Sequence, residues 1–247
     1  MPQEPPSRLV MAVSLGVTRI IGDGTTKTKS VSVLYFFAHE EDEGRVSLRP
    51  LNSNNVPCGE RTFISKDELL REYTPEPDLY LKAVVPAMRE LSRSIARGES
   101  HRSRGQYNSA EYEYENALTI DEENVRATFG LGLTYIDWGD LEKAALVFDK
   151  LVAMDDAYRP EHKHLFNEFG ISLRKSGMLD QAEAYYRRAL QLCDVDEHLY
   201  FNIARACFEK RDFATCIDYL SRAFELNSDF DEAKKLMHAA LEGKGDL

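Results

Sequence analysis

The chain reads as an α+β protein, mainly α: a small N-terminal antiparallel β barrel or curled sheet, then an array of helix pairs. Three observations predict this. From Arg8 to Ser65, apolar residues recur with a period near two and are broken by turn-rich segments. From Leu91 to Glu242, a pattern of small and aromatic residues returns about every 34 residues. Between the two, Tyr73-Thr74-Pro75-Glu76-Pro77 carries two prolines, which hold the chain extended and mark a junction.

Residues 1–7, MPQEPPS, are proline-rich and are expected to be a disordered tail. The β domain spans 8–77. Its first strand starts at Arg8, with Leu9, Met11, Val13 and Leu15 alternating with smaller or polar residues and Val17 to Ile21 continuing the run. Gly22-Asp23-Gly24 followed by Thr25-Thr26-Lys27 is a turn or loop. Ser30 to His39, SVSVLYFFAH, is the strongest strand signal. Glu40–Gly44 reads as a hairpin tip, Arg45 to Leu51 as a strand, Asn52 to Gly59 as a loop and Arg61 to Ser65 as a short strand. Ser65-x-x-Glu68 is a capping pair for a helical turn from Lys66. A helix over 78–90, begun by Asp78, bridges to the array; Pro86 either interrupts it or starts the next segment.

The array, 91–242, divides into units 91–124, 125–158, 163–196 and 197–230, closed by a capping helix at 231–242. The clearest unit has Leu131-Gly132-x-x-Tyr135 on its first helix, Gly139 in the turn and Ala144-x-x-x-Phe148 on its second. Gly132 and Ala144 are expected to face each other where the helices cross, with Tyr135 and Phe148 filling the volume beside them. The first unit has Gly98, Gly105, Ala110-x-x-x-Tyr114 and Ala117. The third has Phe169-Gly170-x-x-Leu173, Gly177, Ala182-x-x-x-Tyr186 and Ala189. The fourth has Ile203-Ala204-x-x-Cys207, Cys216-x-x-x-Leu220 and Ala223, with Arg211 where the turn usually takes glycine. Four added residues, Arg159-Pro160-Glu161-His162, lie between the second and third units. They either lengthen the next helix by one turn, with Pro160 at its first position, or form a longer loop.

The L-G-x-x-Y and A-x-x-x-F pattern at this period resembles the tetratricopeptide repeat. The resemblance implies a right-handed α-solenoid of four repeats plus a cap, and a protein-binding scaffold without catalysis. The family's tryptophan at the fourth position and proline at the end of the repeat are absent. By the same resemblance, the second, fifth, ninth and twelfth positions of each unit line a concave groove. These are Ser92, Ile95, Glu99 and Arg102; Arg126, Phe129, Leu133 and Ile136; His164, Asn167, Ile171 and Arg174; and His198, Phe201, Arg205 and Phe208. Four arginines and two histidines stand there against one glutamate. Arginine forks take carboxylates with two hydrogen bonds, and phenylalanines offer apolar pockets between them. The expected ligand is an acidic, partly apolar peptide or partner segment; the alternative is that several of these arginines pair with acidic neighbours on adjacent helices. The lysine, asparagine and arginine clamp of heat-shock chaperone adaptors is not reproduced, because Ile95 stands where that clamp has lysine.

Composition sets the limits. The net charge is −11 and the pI about 5.1 over 247 residues, which disfavours nucleic acid as a partner because phosphates need a basic surface. No window is long enough to span a bilayer. Ser14, Thr18 and Arg19 break the apolar run near Leu9, so it makes a poor signal peptide. Cys58, Cys193, Cys207 and Cys216 form no disulfide or zinc framework, and thiols used as packing residues suit a cytoplasmic location. His162-x-His164 cannot share one ion on a helix, since residues two apart point to different faces. No cofactor, metal or catalytic set is expected. Two other readings stand beside the adaptor. One is a chaperone or assembly factor for a secreted or membrane-complex client. The other is a sensor whose β domain binds a small ligand. The end helices offer a surface for homo-oligomers.

Overall fold

The structure, a computed structural model, describes residues 8–21, 28–41, 44–192 and 196–245. The expected tail at 1–7, the loop at 22–27, the centre of the Glu40–Gly44 hairpin tip and Cys193 lie outside the described residues. The chain falls into two compact units. The first comprises 1–96 with 116–123, and the second 97–115 with 124–247.

In the first unit, β1 (Val10–Ile21), β2 (Thr28–Glu40), β3 (Arg45–Pro50), β4 (Thr62–Ser65) and β5 (Thr74–Pro75) form an antiparallel sheet in the order β4-β3-β2-β1-β5. It is an open sheet rather than a closed barrel, with β4 and β5 at its edges. The junction segment proves to be part of it: Thr74 and Pro75 pair with Ser14 and Val13. A proline fits there because an edge strand can spare the missing N–H. Val13, Ala38, Val46, Leu48 and Leu69 form the core, packed by Leu9, Met11, Phe36, Ile64 and Tyr73. Ser47, between two core residues of β3, is buried as well, and its hydroxyl donates to Glu41 Oε1 at 2.9 Å. β3 pairs with β2 over Phe36–Glu40, and the Leu51 amide just beyond β3 donates to Tyr35 O at 2.9 Å; Thr28–Leu34 of β2 has strand pairing with β1 alone among the described strands.

Ser65 caps α1 (Lys66–Glu72) as expected, its Oγ accepting from the Glu68 amide at 3.1 Å. The next helical segment is continuous in direction but changes pitch. A single turn, α2 (Pro77–Leu79), leads into a π-helical turn at Tyr80–Val84 and then into α3 (Val85–Ser103). Pro86 therefore neither breaks the segment nor begins it. It has no N–H to return to the turn before it, and the wider turn ahead of it is closed by the Val85 amide bonding Tyr80 O.

The loop at 51–59 is organised by Asn52. Its Oδ1 accepts from the amides of Asn54 (2.9 Å) and Val56 (3.0 Å). Its Nδ2 donates to Ile120 O at 2.8 Å, and Asn54 Nδ2 donates to Thr119 O at 3.0 Å. These amides satisfy carbonyls at the C-terminal end of α4 (Tyr107–Ile120), which an α-helix leaves without intrahelical partners.

The second unit continues as helix pairs: α5 (Val125–Trp138) with α6 (Leu141–Ala153), α7 (Lys163–Lys175) with α8 (Leu179–Leu192), and α9 (Glu197–Glu209) with α10 (Phe213–Leu226), followed by α11 (Asp231–Gly245). Asn124, Asp140, Asp196 and Asp212 cap α5, α6, α9 and α10 through side-chain oxygens. The turns at Gly105, Gly139 and Gly177 take φ of 71°, 83° and 82°. Arg211 takes 62° at the equivalent place, so the fourth turn keeps the geometry without the glycine.

The small residues work between repeats as well as within them. A Cβ on Gly132 would meet Phe169 Cε2 at 2.6 Å and Val147 Cγ1 at 3.0 Å. Its nearest neighbours are thus a ring of the next repeat and a valine of α6, rather than Ala144. Tyr114 lies against both Gly98 and Gly130, and Tyr186 against Gly170. Phe166, Phe169, Tyr185 and Tyr186 form one aromatic cluster, with Phe166 and Tyr185 stacked at 4.5 Å.

The added residues do not lengthen α7. Pro160–His162 form a 3₁₀ turn opened by Pro160, directly after another 3₁₀ turn, Asp155–Tyr158, at the end of the second unit. His162, with φ −102° and ψ 4°, separates that turn from the α-helix that starts at Lys163.

Candidate functional site

The expected groove residues lie on α3, α5, α7 and α9. The structure sorts them by what they touch. Phe129 and Leu133 are 0% and 2% exposed. Phe129 meets Phe169 edge-on at 5.7 Å. Both residues are core, so the expectation that they line an open groove is corrected: they hold neighbouring helices together.

Three of the four arginines are already engaged. Arg126 donates through Nε and Nη2 to both oxygens of Glu99, at 2.8 and 3.0 Å. Arg102 donates through Nη2 to Glu168 Oε1 at 2.6 Å and has Asp137 Oδ2 at 3.6 Å from Nη1. Burial works against the Arg102 charge, but the hydrogen bond and charge of Glu168, with Asp137 behind them, hold it above the usual guanidinium range. Burial raises Asp137, the Arg102 charge opposes this, and the Glu168 charge adds to it. Arg174 is 8% exposed and pairs with Glu209. Charge pairs thereby tie α3 to α5 and α7, and α7 to α9.

Glu168, Asp137 and Glu209 were not anticipated as site residues. They occupy the sixth and thirteenth positions of their units, outside the set that the resemblance assigns to the groove. Among the described residues, Arg205 has no carboxylate within ion-pair distance. It is half-buried and sits over the Phe201 ring at 5.6 Å. Burial, with the charge of Arg174, pushes it below the usual guanidinium range. A cation so placed favours an added anion. Around it, Phe201 lies 4.9 Å from Phe230, and Phe208 5.5 Å from Phe213, both half-buried. His198 is exposed and edge-on to Phe230 at 5.1 Å. His164 is exposed and Asn167 half-buried.

The other expectations can be placed as well. Cys207 and Cys216 are fully buried, and burial pushes their thiols up to about 12 and about 11, which fits packing rather than reactivity. Among the described residues, no helix is long and apolar enough to cross a membrane.

Helix pairs at a constant period, joined by left-handed turns and by small-to-aromatic contacts between neighbours, define a helical-repeat scaffold. Models of the tetratricopeptide repeat match residues 98–139, and again 125–158, 164–195 and 197–230. The chain belongs to the tetratricopeptide repeat family. Over 91 residues, 36% of this chain, it is 34% identical to mouse "Tetratricopeptide repeat protein 14", and this match spans 12% of that protein. Among solved structures, it resembles a MamA protein (22% identity, TM-score 0.48, covering 63% of this chain and 83% of that one). It also resembles pilF of Pseudomonas aeruginosa (18% identity, TM-score 0.47, covering 65% and 72%). As a tetratricopeptide protein, the chain is a protein-interaction scaffold of a family that is typically non-enzymatic.

Proposed function

We propose that the chain is a non-catalytic adaptor that holds an acidic, partly apolar segment of a partner protein on the first-helix face of its last two repeats. The observation that carries this is Arg205: a half-buried guanidinium beside Arg174, lying over Phe201, with no carboxylate within ion-pair distance among the described residues and only the more distant charge of Glu209 to offset it. Arg102, Arg126 and Arg174 already hold carboxylates, so the anion-binding capacity of the face is concentrated at this one position. Phe201, Phe208, His198, His164 and Asn167 are the accessible residues of α7 and α9 that would meet the apolar and polar parts of the segment.

The test is selection from a random peptide library on the full-length protein. Enrichment should favour an aspartate or glutamate next to an aromatic or aliphatic residue. An Arg205→Ala variant should bind the selected peptides at least tenfold more weakly, as expected for loss of one charge-assisted contact worth about 1.5–3 kcal/mol. Arg188→Ala, on α8, is the control. Selected peptides without carboxylates, or with equal affinity for both variants, would overturn the reading.

A further inference from the structure

The first unit has an open surface pocket of about 490 Å³, lined by Val10, Phe37, Tyr80, Val85, Met88, Arg89, Ser92 and Arg93. Its volume falls within the range of small-molecule sites, and such sites combine apolar walls with a few polar groups that orient the ligand. The walls come from the starts of β1 and α3, from Phe37 on β2 and from Tyr80, whose ring is 6.5 Å from that of Phe37. The π-helical turn places Tyr80 there. The extra residue in that turn shifts Tyr80 by about 100° around the helix relative to α3.

The polar groups are cationic and lie one helical turn apart. Among the described residues, Arg89 has no carboxylate within ion-pair distance, and Arg93 has only Glu90 at 3.9 Å. Both arginines are exposed. The Ser92 hydroxyl is used by its own helix, donating to Met88 O at 2.9 Å. In a chain of net charge −11, two weakly engaged guanidinium groups at the edge of an apolar pocket are complementary to a negative head on an apolar body.

We propose that this pocket binds a small apolar monoanion, with its tail against Val10, Phe37, Tyr80, Val85 and Met88 and its head held by Arg89 and Arg93. This gives the protein a small-molecule site separate from the peptide face, and the proposal does not depend on that reading.

The experiment is calorimetric titration of the full-length protein with decanoate, beside decanol and decyltrimethylammonium, which share its tail. Decanoate should bind saturably at one site, decanol at least tenfold more weakly and the ammonium not at all. An Arg89→Ala/Arg93→Ala variant should lose at least tenfold for decanoate while keeping its melting temperature. Met88→Trp, which fills the pocket, should also reduce binding. Arg89→Gln alone, which leaves the Arg93–Glu90 contact in place, should give an intermediate loss if the double variant is unstable. Equal binding of the three probes, no saturable binding, or undiminished affinity in the arginine variants would overturn the proposal.

Discussion

Gly132 shows how much one missing methyl group can decide. The space its Cβ would occupy is taken by Phe169 of the next repeat, a ring that is fully buried and cannot swing away without opening a cavity. Gly132→Ala is therefore expected to destabilise the protein by about 1–3 kcal/mol, the usual cost of overpacking a core. Chemical denaturation reads this directly. Arg211 presents the opposite case. Its backbone holds φ 62°, a region that costs an L-residue about 1–2 kcal/mol. Glycine would remove that strain while giving back about 0.5–1 kcal/mol through its freer unfolded chain. Arg211→Gly should raise stability by about 0.5 kcal/mol, seen as a small upward shift in melting temperature; a fall would show that the Arg211 side chain contributes contacts worth more than the strain.

Between elements, one carboxylate joins three helices. Glu111 of α4 accepts from Lys143 of α6 at 2.7 Å and from the Tyr135 hydroxyl of α5 at 2.8 Å. The Lys143 hydrogen bond, aided by that of Tyr135, holds its carboxyl below the ordinary value of 4.5 despite partial burial. A carboxylate lowered in the folded state contributes stability that is present above its unfolded pKa and is lost as pH falls through the folded one. Wild type should therefore lose stability on acidification below about 4.5, and Glu111→Gln should flatten that part of the curve in thermal melts across pH.

The same elements show what could be read in the sequence and what could not. Gly98, Gly132, Gly170 and the residues opposite them recur about every 34 residues once the four added at 159–162 are set aside, so the repeats were legible, as was the Ser65 cap, which acts over three residues. The arginine partners were not. Glu168 and Glu209 come from other repeats, and a ligand-facing position in the family pattern says nothing of the neighbour beside it. β5 was hidden because a two-residue edge strand leaves no periodicity. Likewise, nothing local to Asn52 announces a hydrogen bond to Ile120, 68 residues away.

At the scale of the molecule, the first unit draws on residues far apart in sequence, 1–96 and 116–123. A fragment covering 1–123 should unfold more cooperatively than one covering 1–96, by circular dichroism during urea titration. In the longer fragment, Asn52→Ala should remove part of the difference, because it deletes the amide that reaches Ile120. Equal transitions for the two fragments would show that 116–123 adds nothing to the unit.

That discontinuity has a consequence for the order of synthesis. The last strand ends at Pro75, yet the unit to which it belongs is complete only when residue 123 has left the ribosome. For the time needed to add those intervening residues, the carbonyls that Asn52 and Asn54 would engage do not yet exist, and the growing chain carries a sheet without its final segment. The nascent protein therefore passes through a stage in which its oldest part waits on a helix from the middle of the chain.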